Sequence, residues 1–392
     1  MPKIYFDNNA TTPLLPEVAQ AICEVQEKCF GNPSSVHWAG REAKKYLNLA
    51  REKIASLLGV GETELLFTSG GTESINTALR GIFERRPSGR DEIISSPLEH
   101  QATLKTLEYL QSRGAQITFL NVDRQGRMDP EELQKKITSK TLLVSLMFAN
   151  NELGNLYPIK TFGEICREKK VFFHCDGVQA FGKLPLSLKN TPVDLFSFSA
   201  HKCHGPKGVG GLYVREGVKI SPLHHGGRQE KSLRGGTENV AGIYGMAIAL
   251  EKALEKLDQN TEQISLLRDR LEKQILSQMD GVFLNGDLEH RLPNTSNFLV
   301  EGVDGESLLF NLDLEGVAAS AGSACESGSL DPSHVLLAMG YTPEQAKASI
   351  RFSLSKWNTE KEVDECINSF LKIVKKLRKS PLSPLPSGER VG

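Results

Sequence analysis

The chain has 392 residues, 47 basic and 48 acidic, with a formal net charge of -1. That length suits about two domains of roughly 100–200 residues each, and the even charge gives no electrostatic reason to expect nucleic acid or an anionic membrane as main partner. No apolar run approaches the roughly 20 residues that span a bilayer. The opening MPKIYFDNNATTPLLPEV lacks the basic-then-apolar order of a secretory signal, so the expected compartment is the cytoplasm. The cysteines are Cys23, Cys29, Cys166, Cys175, Cys203, Cys325 and Cys366. They are odd in number, scattered and without C-x-x-C, which argues for reduced thiols and against a disulfide framework or a zinc ribbon.

In chain order, ELLFTSG (64–70) reads as a strand and GTESINTALRGIFERR as the helix after it. DEIISSP (91–97) is a second strand, followed by the helical HQATLKTLEYLQSRG. QITFLNV and TLLVSLMFAN (141–150) are further apolar runs, and IKTFGEICREKK is amphipathic. VFFHCD (171–176), VDLFSFSAH (193–201) and GVGGLYVR (208–215) close the series. Runs apolar on both faces, alternating with helices, predict a mainly parallel sheet covered on two sides. Ligands of such sheets sit beyond the carboxyl ends of the strands. That rim would carry Gly70–Thr72, His100, Asn150–Asn151, Asp176 and Ser199–Lys202.

The pattern changes from about Val240. Two long helices, VAGIYGMAIALEKALEKL and EQISLLRDRLEKQILSQM, are expected to join through DQNT. TSNFLVEG is strand-like, ESLLFNLDLEG helical, and ASIRFSLS a strand again. A last helix opens on a Thr359–Glu362 capping box, with Val363, Ile367, Phe370, Leu371 and Val374 on one face. These elements predict a smaller α+β domain. The Pro/Ser-rich SPLSPLPSGERVG (380–392) has the composition of a disordered tail.

The rim residues carry the chemistry. Lys202 follows an apolar strand; desolvation there would lower its pKa and suit it to Schiff-base formation, although an exposed lysine is ordinarily a solvated charge. Asp176 ends another buried strand, either as a turn aspartate or as the carboxylate that keeps a pyridinium nitrogen protonated. Gly70, Gly71 and Thr72 offer backbone N–H groups and a hydroxyl at a helix N-terminus, a natural phosphate cup. His100 opens a helix where its ring could stack on a flat cofactor. Asn151 and Gln179 offer neutral hydrogen bonds. Arg351, a cation in an apolar strand, needs an anion: a substrate carboxylate or an internal salt bridge. His201, Cys203 and His204 are too crowded for a usual metal site, so no metal is expected.

With FTSGGTESIN, LEHQA, NNELG, HCDGVQAFGK, FSFSAHKCHGPKGVGGLYVR, RGGTENV and SAGSACESGSLDPSHVLLAMG in this order, the chain resembles the cysteine desulfurases of the NifS/IscS type, class V aminotransferases among the fold-type I enzymes that use pyridoxal 5'-phosphate (PLP). The resemblance runs from about Lys3 to Lys379. It implies a mostly parallel seven-stranded sheet flanked by helices, with residues 17–256 as the large PLP-binding domain and 1–16 plus 257–379 as a small domain carrying a cysteine loop. It also implies that Lys202 holds the cofactor as a Schiff base, that Asp176 pairs with the ring nitrogen and Gln179 with the ring oxygen, and that His100 stacks on the ring and acts with Lys202 and Cys325 as a catalytic residue that moves protons, His100 or the substrate amine being the acceptor expected for the Cys325 thiol proton. Gly71, Thr72, Ser199 and His201 would hold the phosphate, with Thr237 reaching the phosphate of the partner in a homodimer. Asn151 and Arg351 would hold the substrate carboxylate, and Cys325 would take the sulfur of L-cysteine as a persulfide. The product would be L-alanine and the acceptor a sulfur-receiving protein such as an iron–sulfur scaffold. The competing expectations are selenocysteine lyase or another class V PLP reaction, and a non-enzymatic sulfur carrier. Cysteine and histidine at 203 and 204 depart from the aliphatic and aromatic residues that often follow the lysine.

Overall fold

The computed structural model describes residues 3–322 and 331–379. Cys325 and the tail 380–392 lie outside the described residues. The strands in chain order are β1 (Ile4–Tyr5), β2 (Leu65–Thr68), β3 (Glu92–Ser95), β4 (Gln116–Phe119), β5 (Thr141–Met147) and β6 (Phe172–Asp176). They continue with β7 (Leu195–Ser199), β8 (Gly210–Val214), β9 (Val282–Leu284), β10 (Thr295–Val300), β11 (Val317–Ala318) and β12 (Ser349–Ser353).

Seven strands form the main sheet in the order β2-β8-β7-β6-β5-β3-β4. β8 pairs antiparallel with both neighbours and the remaining pairs are parallel. Every residue of β5 and β7 is buried, as the apolar runs require for strands covered on both faces. Helix Gly71–Glu84 packs Ile75, Leu79 and Ile82 with Leu107 and Leu110 of helix Gln101–Ser112 on one face. The other face packs against helices Trp38–Leu58, Ile159–Glu168 and Val240–Glu255. His174, inside β6, sits between Ser145 Oγ (2.8 Å) and Ser197 Oγ (2.9 Å) of the flanking strands, and burial brings its pKa down to about 3. It is a neutral, structural member of the sheet.

A second core joins Ile4 and Phe6 to helix Leu257–Gln278, the sheet β12-β10-β9 and helix Glu360–Lys379. The capping box forms: Thr359 N–H donates to Glu362 Oε2 at 2.8 Å and Glu362 N–H to Thr359 Oγ1 at 3.2 Å. One boundary differs from expectation. DQNT is not a linker but the first turn of helix Leu257–Gln278, and the break falls at Lys256. The four residues include no glycine or proline to stop a helix, and Asn260 N–H bonds Lys256 O at 2.9 Å.

The N-terminal segment ties the two cores together. β1 pairs with β11, and Asp7 bridges to Ser353 of β12. The chain then reaches the turn after β7, where Thr12 N–H bonds His201 O and Leu15 N–H bonds His204 O. Asn9 and Ala10 are thereby carried beside Lys202.

Candidate active site

The carboxyl ends of β2, β5, β6 and β7 open onto one cleft of about 780 Å³, part of it open to solvent. Gly71, Thr72, His100, Asn151, Asp176, Gln179, Ser199, His201, Lys202 and Arg351 all line it, with Asn9 and Ala10 from the N-terminal segment. The parallel order of the strands causes this convergence, since every strand-to-helix turn emerges at the same edge.

Lys202 closes the short 3-10 turn Ala200–Lys202 directly after β7. Its Nζ donates to Asn9 O at 2.6 Å and Ala10 O at 2.7 Å. Asp176 ends the neighbouring β6 and accepts from Val178 N–H at 3.0 Å. Burial raises its pKa to about 6, against the lowering effects of that N–H and of Lys202. A buried carboxylate of this kind calls for a positive charge opposite it. Glu99, in the turn after β3, accepts from Met147 N–H of β5 at 3.0 Å, while its Oε2 has no partner among the described residues. Burial and the nearby Asp176 push its carboxyl well above the usual range.

His100 is the N-cap of helix Gln101–Ser112, and its Nδ1 accepts from Ala102 N–H at 3.0 Å. A ring that accepts at Nδ1 carries its proton at Nε2 when neutral. Burial, then the charges of Lys202 and His334, bring its pKa down to about 4. His201 is similarly lowered to about 4, mainly by burial, with Nδ1 3.1 Å from Thr11 Oγ1.

At the far end, helix Gly71–Glu84 points its N-terminus into the cleft. Gly70 has φ 154°, in the region that favours glycine, and a Cβ on Gly71 would lie 2.7 Å from Val178 Cγ2. Ser199 and His201 face the same cup, which also opens to solvent past Lys207 and Gly208. Thr237 does not line the cleft of its own chain; it is exposed on the loop that Arg234 ties to Glu73 at 3.0 Å.

Arg351 is 1% exposed. Nη2 pairs with Asp7 Oδ1 at 2.6 Å and Nη1 donates to Asn151 O at 2.8 Å. Its Nε has no partner among the described residues. The salt bridge and the cleft position therefore coexist. Reading from the sequence missed Asp7, Asn9 and Lys183. The first two lie in DNNATTP, whose polar run was the available signal. Lys183 follows Gln179 at i+4 and resembles any surface lysine until its partners are seen. Cys203 is buried with Sγ 3.3 Å from Ala200 O, and the His204 ring packs 4.5 Å from that of Trp357. The two unusual residues fill packing positions.

A helix-end anion cup, an uncompensated carboxylate and an amine within one cleft fit a flat phosphorylated pyridine. The aminotransferase class V family model matches residues 4–366. The chain belongs to the class V aminotransferases, in the cysteine desulfurase branch. A cysteine desulfurase IscS of Dictyoglomus turgidum is 46% identical over 376 residues, covering 96% of this chain and 95% of the relative. One from Methanosarcina thermophila is 47% identical over 383 residues, covering 97% and 94%. The solved structure of a NifS-like protein aligns with a TM-score of 0.89 at 41% identity, covering 96% of this chain and 99% of that one. This class V enzyme uses PLP, and its cleft residues suit that cofactor.

Proposed function

We propose the following roles in a PLP-dependent cysteine desulfurase, which converts L-cysteine to L-alanine and passes the sulfur to a cysteine of its own. The observation that carries the assignment is the placement of Lys202 and Asp176 at the ends of adjacent strands, in the cleft that the Gly71 helix faces. When bound, PLP takes up the electrons released at the substrate α-carbon and so makes its proton acidic. Lys202 holds the cofactor, then as a free amine removes and returns that proton. Between these tasks the Asn9 and Ala10 carbonyls accept its N–H groups and keep it in the cleft. Asp176 stays ionised opposite the ring nitrogen. Gly71, Thr72, Ser199 and His201 take the phosphate, and Gln179 donates to the ring oxygen. Arg351 and Asn151 orient the substrate carboxylate, Asp7 holding the guanidinium in register.

His100 stacks on the ring and donates through Nε2. With Nδ1 committed to a backbone N–H and its pKa near 4, it does not take the thiol proton of Cys325 at neutral pH. That proton goes to another acceptor, for which the substrate amine is available. Cys325 attacks the substrate sulfur as a thiolate; an unperturbed thiol of pKa about 8.5 is only a few per cent ionised at pH 7.

The enzyme works as a homodimer in the cytoplasm, with Thr237 of one subunit on the phosphate of the other, and delivers sulfur to a protein acceptor such as an iron–sulfur scaffold. Solvent exposure of the phosphate cup and of Thr237 supports the dimer reading. No helix among the described residues is long and apolar enough to cross a membrane. Incubation with L-cysteine and a reductant, followed by assay of alanine and sulfide, tests the activity. Equal amounts of both products, lost with Lys202→Ala, are expected. Transamination without sulfide would overturn the reading. A much higher rate on selenocysteine would reassign the substrate.

A further inference from the structure

Lys183 stands behind the cleft, in the turn after β6 that also carries Gln179. Its Nζ donates to Gln179 Oε1 at 2.7 Å and to Asn9 Oδ1 at 3.0 Å. As an ammonium Lys183 has three donors and no acceptor, so while it is protonated the Gln179 atom that meets it has to be the oxygen. The amide nitrogen is thereby turned away from Lys183 and donates to Asn9 O at 3.0 Å. That is the carbonyl that also holds Lys202 Nζ at 2.6 Å. An amide nitrogen carries two N–H groups. One is committed to Asn9, and the other remains for the cleft that Gln179 lines. Asn9 is set by the same rule: its Oδ1 takes Lys183 and Asn294 Nδ2, and its Nδ2 donates to Thr295 Oγ1 and Asn151 O.

Holding this amine in position is costly. Burial, then the charges of Lys202 and Arg351, bring its pKa down to about 7. The groups facing it are Lys202 and Cys203 from the turn after β7 and Arg351 from β12, and its hydrogen-bond partners are two amide oxygens rather than a carboxylate. An apolar side chain of similar length would avoid that desolvation but leave Gln179 Oε1 and Asn9 Oδ1 without the ammonium that fixes which way their amides face.

We propose that Lys183 is a positioning residue of this enzyme, locking the Gln179 carboxamide with its N–H toward the cofactor's ring oxygen and so lowering the basicity of the adjacent Schiff-base nitrogen. The inference rests on the reading that Gln179 faces that oxygen. A donor on the ring oxygen withdraws the negative charge that otherwise stabilises the protonated nitrogen. With Lys183 removed, Gln179 can flip and present an oxygen instead.

The test is the absorbance of the holoenzyme titrated against pH, without substrate, which reads Schiff-base protonation directly. Lys183→Met and Gln179→Ala are each expected to raise its proton affinity on the order of tenfold, the scale of one charge-assisted hydrogen bond. The double variant is expected to rise no further, because the lysine acts through the glutamine. No change with Gln179→Ala removes the Gln179 reading and the proposal with it. A rise with Gln179→Ala but none with Lys183→Met overturns the lock and leaves the Gln179 reading standing. Additive rises overturn it in favour of a bare charge effect. Lys183→Gln, which can accept as well as donate, serves the same purpose if Lys183→Met does not fold. Loss of soluble protein in both assigns Lys183 to the fold alone and overturns the proposal.

Discussion

Arg351 Nη2 and Asp7 Oδ1 meet at 2.6 Å although 344 residues separate them in the chain. The pair fastens the segment just after β1 to β12 and holds a guanidinium at the cleft. Asp7→Ala strands a buried cation, a loss typically of about 3–5 kcal/mol. Chemical denaturation is expected to show a lower midpoint of that scale. Arg351→Lys keeps the charge but loses the planar fork. It should raise KM for L-cysteine by about 10- to 100-fold and leave the cofactor absorbance unchanged. An unaltered KM would remove Arg351 from substrate binding.

Asp176 has a folded pKa of about 6 against an ordinary 3.8. A carboxyl whose folded pKa is raised binds its proton more tightly in the folded state. The apoprotein therefore loses stability as pH rises from about 4 to about 6, and the loss is complete above that range. Asp176→Asn is expected to stabilise the cofactor-free protein at pH 7 by about 3 kcal/mol, with little effect at pH 4. The same change should lower turnover of the holoenzyme by about 10²- to 10⁴-fold, the usual range for loss of a proton-holding group. Thermal melts of the apoprotein at the two pH values, paired with turnover assays, check both halves.

His100 caps a helix and lines the cleft, and two substitutions separate the cap from its proposed role at the cofactor. Asparagine is a good N-cap and alanine a poor one, a difference of about 1 kcal/mol. His100→Asn should melt near the parent temperature, and His100→Ala below it. Both lose the ring and should lose activity to a similar degree. Because the folded pKa of His100 is depressed to about 4, the unfolded chain binds its proton first, and acidification from about 6.5 to about 4 destabilises the protein. Above that window His100 stays neutral. A break in the rate profile near pH 6.5 that vanished with His100→Asn would refute this account.

The proposed mechanism has Cys325 and Lys202 act at different stages. Lys202→Ala should abolish the Schiff-base absorbance and lower sulfide release by at least about 10³-fold. Cys325→Ala should keep the absorbance of the resting holoenzyme and its change on adding L-cysteine, while sulfide release falls to background. Sulfide at the parent rate from Cys325→Ala would show that the sulfur leaves by another route.

The strands of the main sheet and most rim residues were legible because both signals are local. Apolar runs such as TLLVSLM and LFSFS fill buried strands, and Gly-Gly-Thr or Ala-His-Lys directly after a strand has to emerge at its carboxyl end. The DQNT boundary was misread because a short polar run is compatible with either a linker or a first helical turn. Periodicity alone does not choose between them.

The sequence by itself determined which groups stand at the strand ends, an amine, a carboxylate and an anion cup, each set by strand-to-turn chemistry within a few residues, and it marked Arg351 as a cation inside an apolar strand. Only the tertiary structure decided how those groups are held. Asn9 and Ala10 come from the N-terminus to receive Lys202, Asp7 pairs with Arg351, and Lys183 turns the Gln179 amide. Local pattern is blind to such partners, because a hydrogen bond depends on distance and angle in space. Burial, which brings His100 down to about 4 and Asp176 up to about 6, is likewise a property of packed neighbours and not of the residue itself.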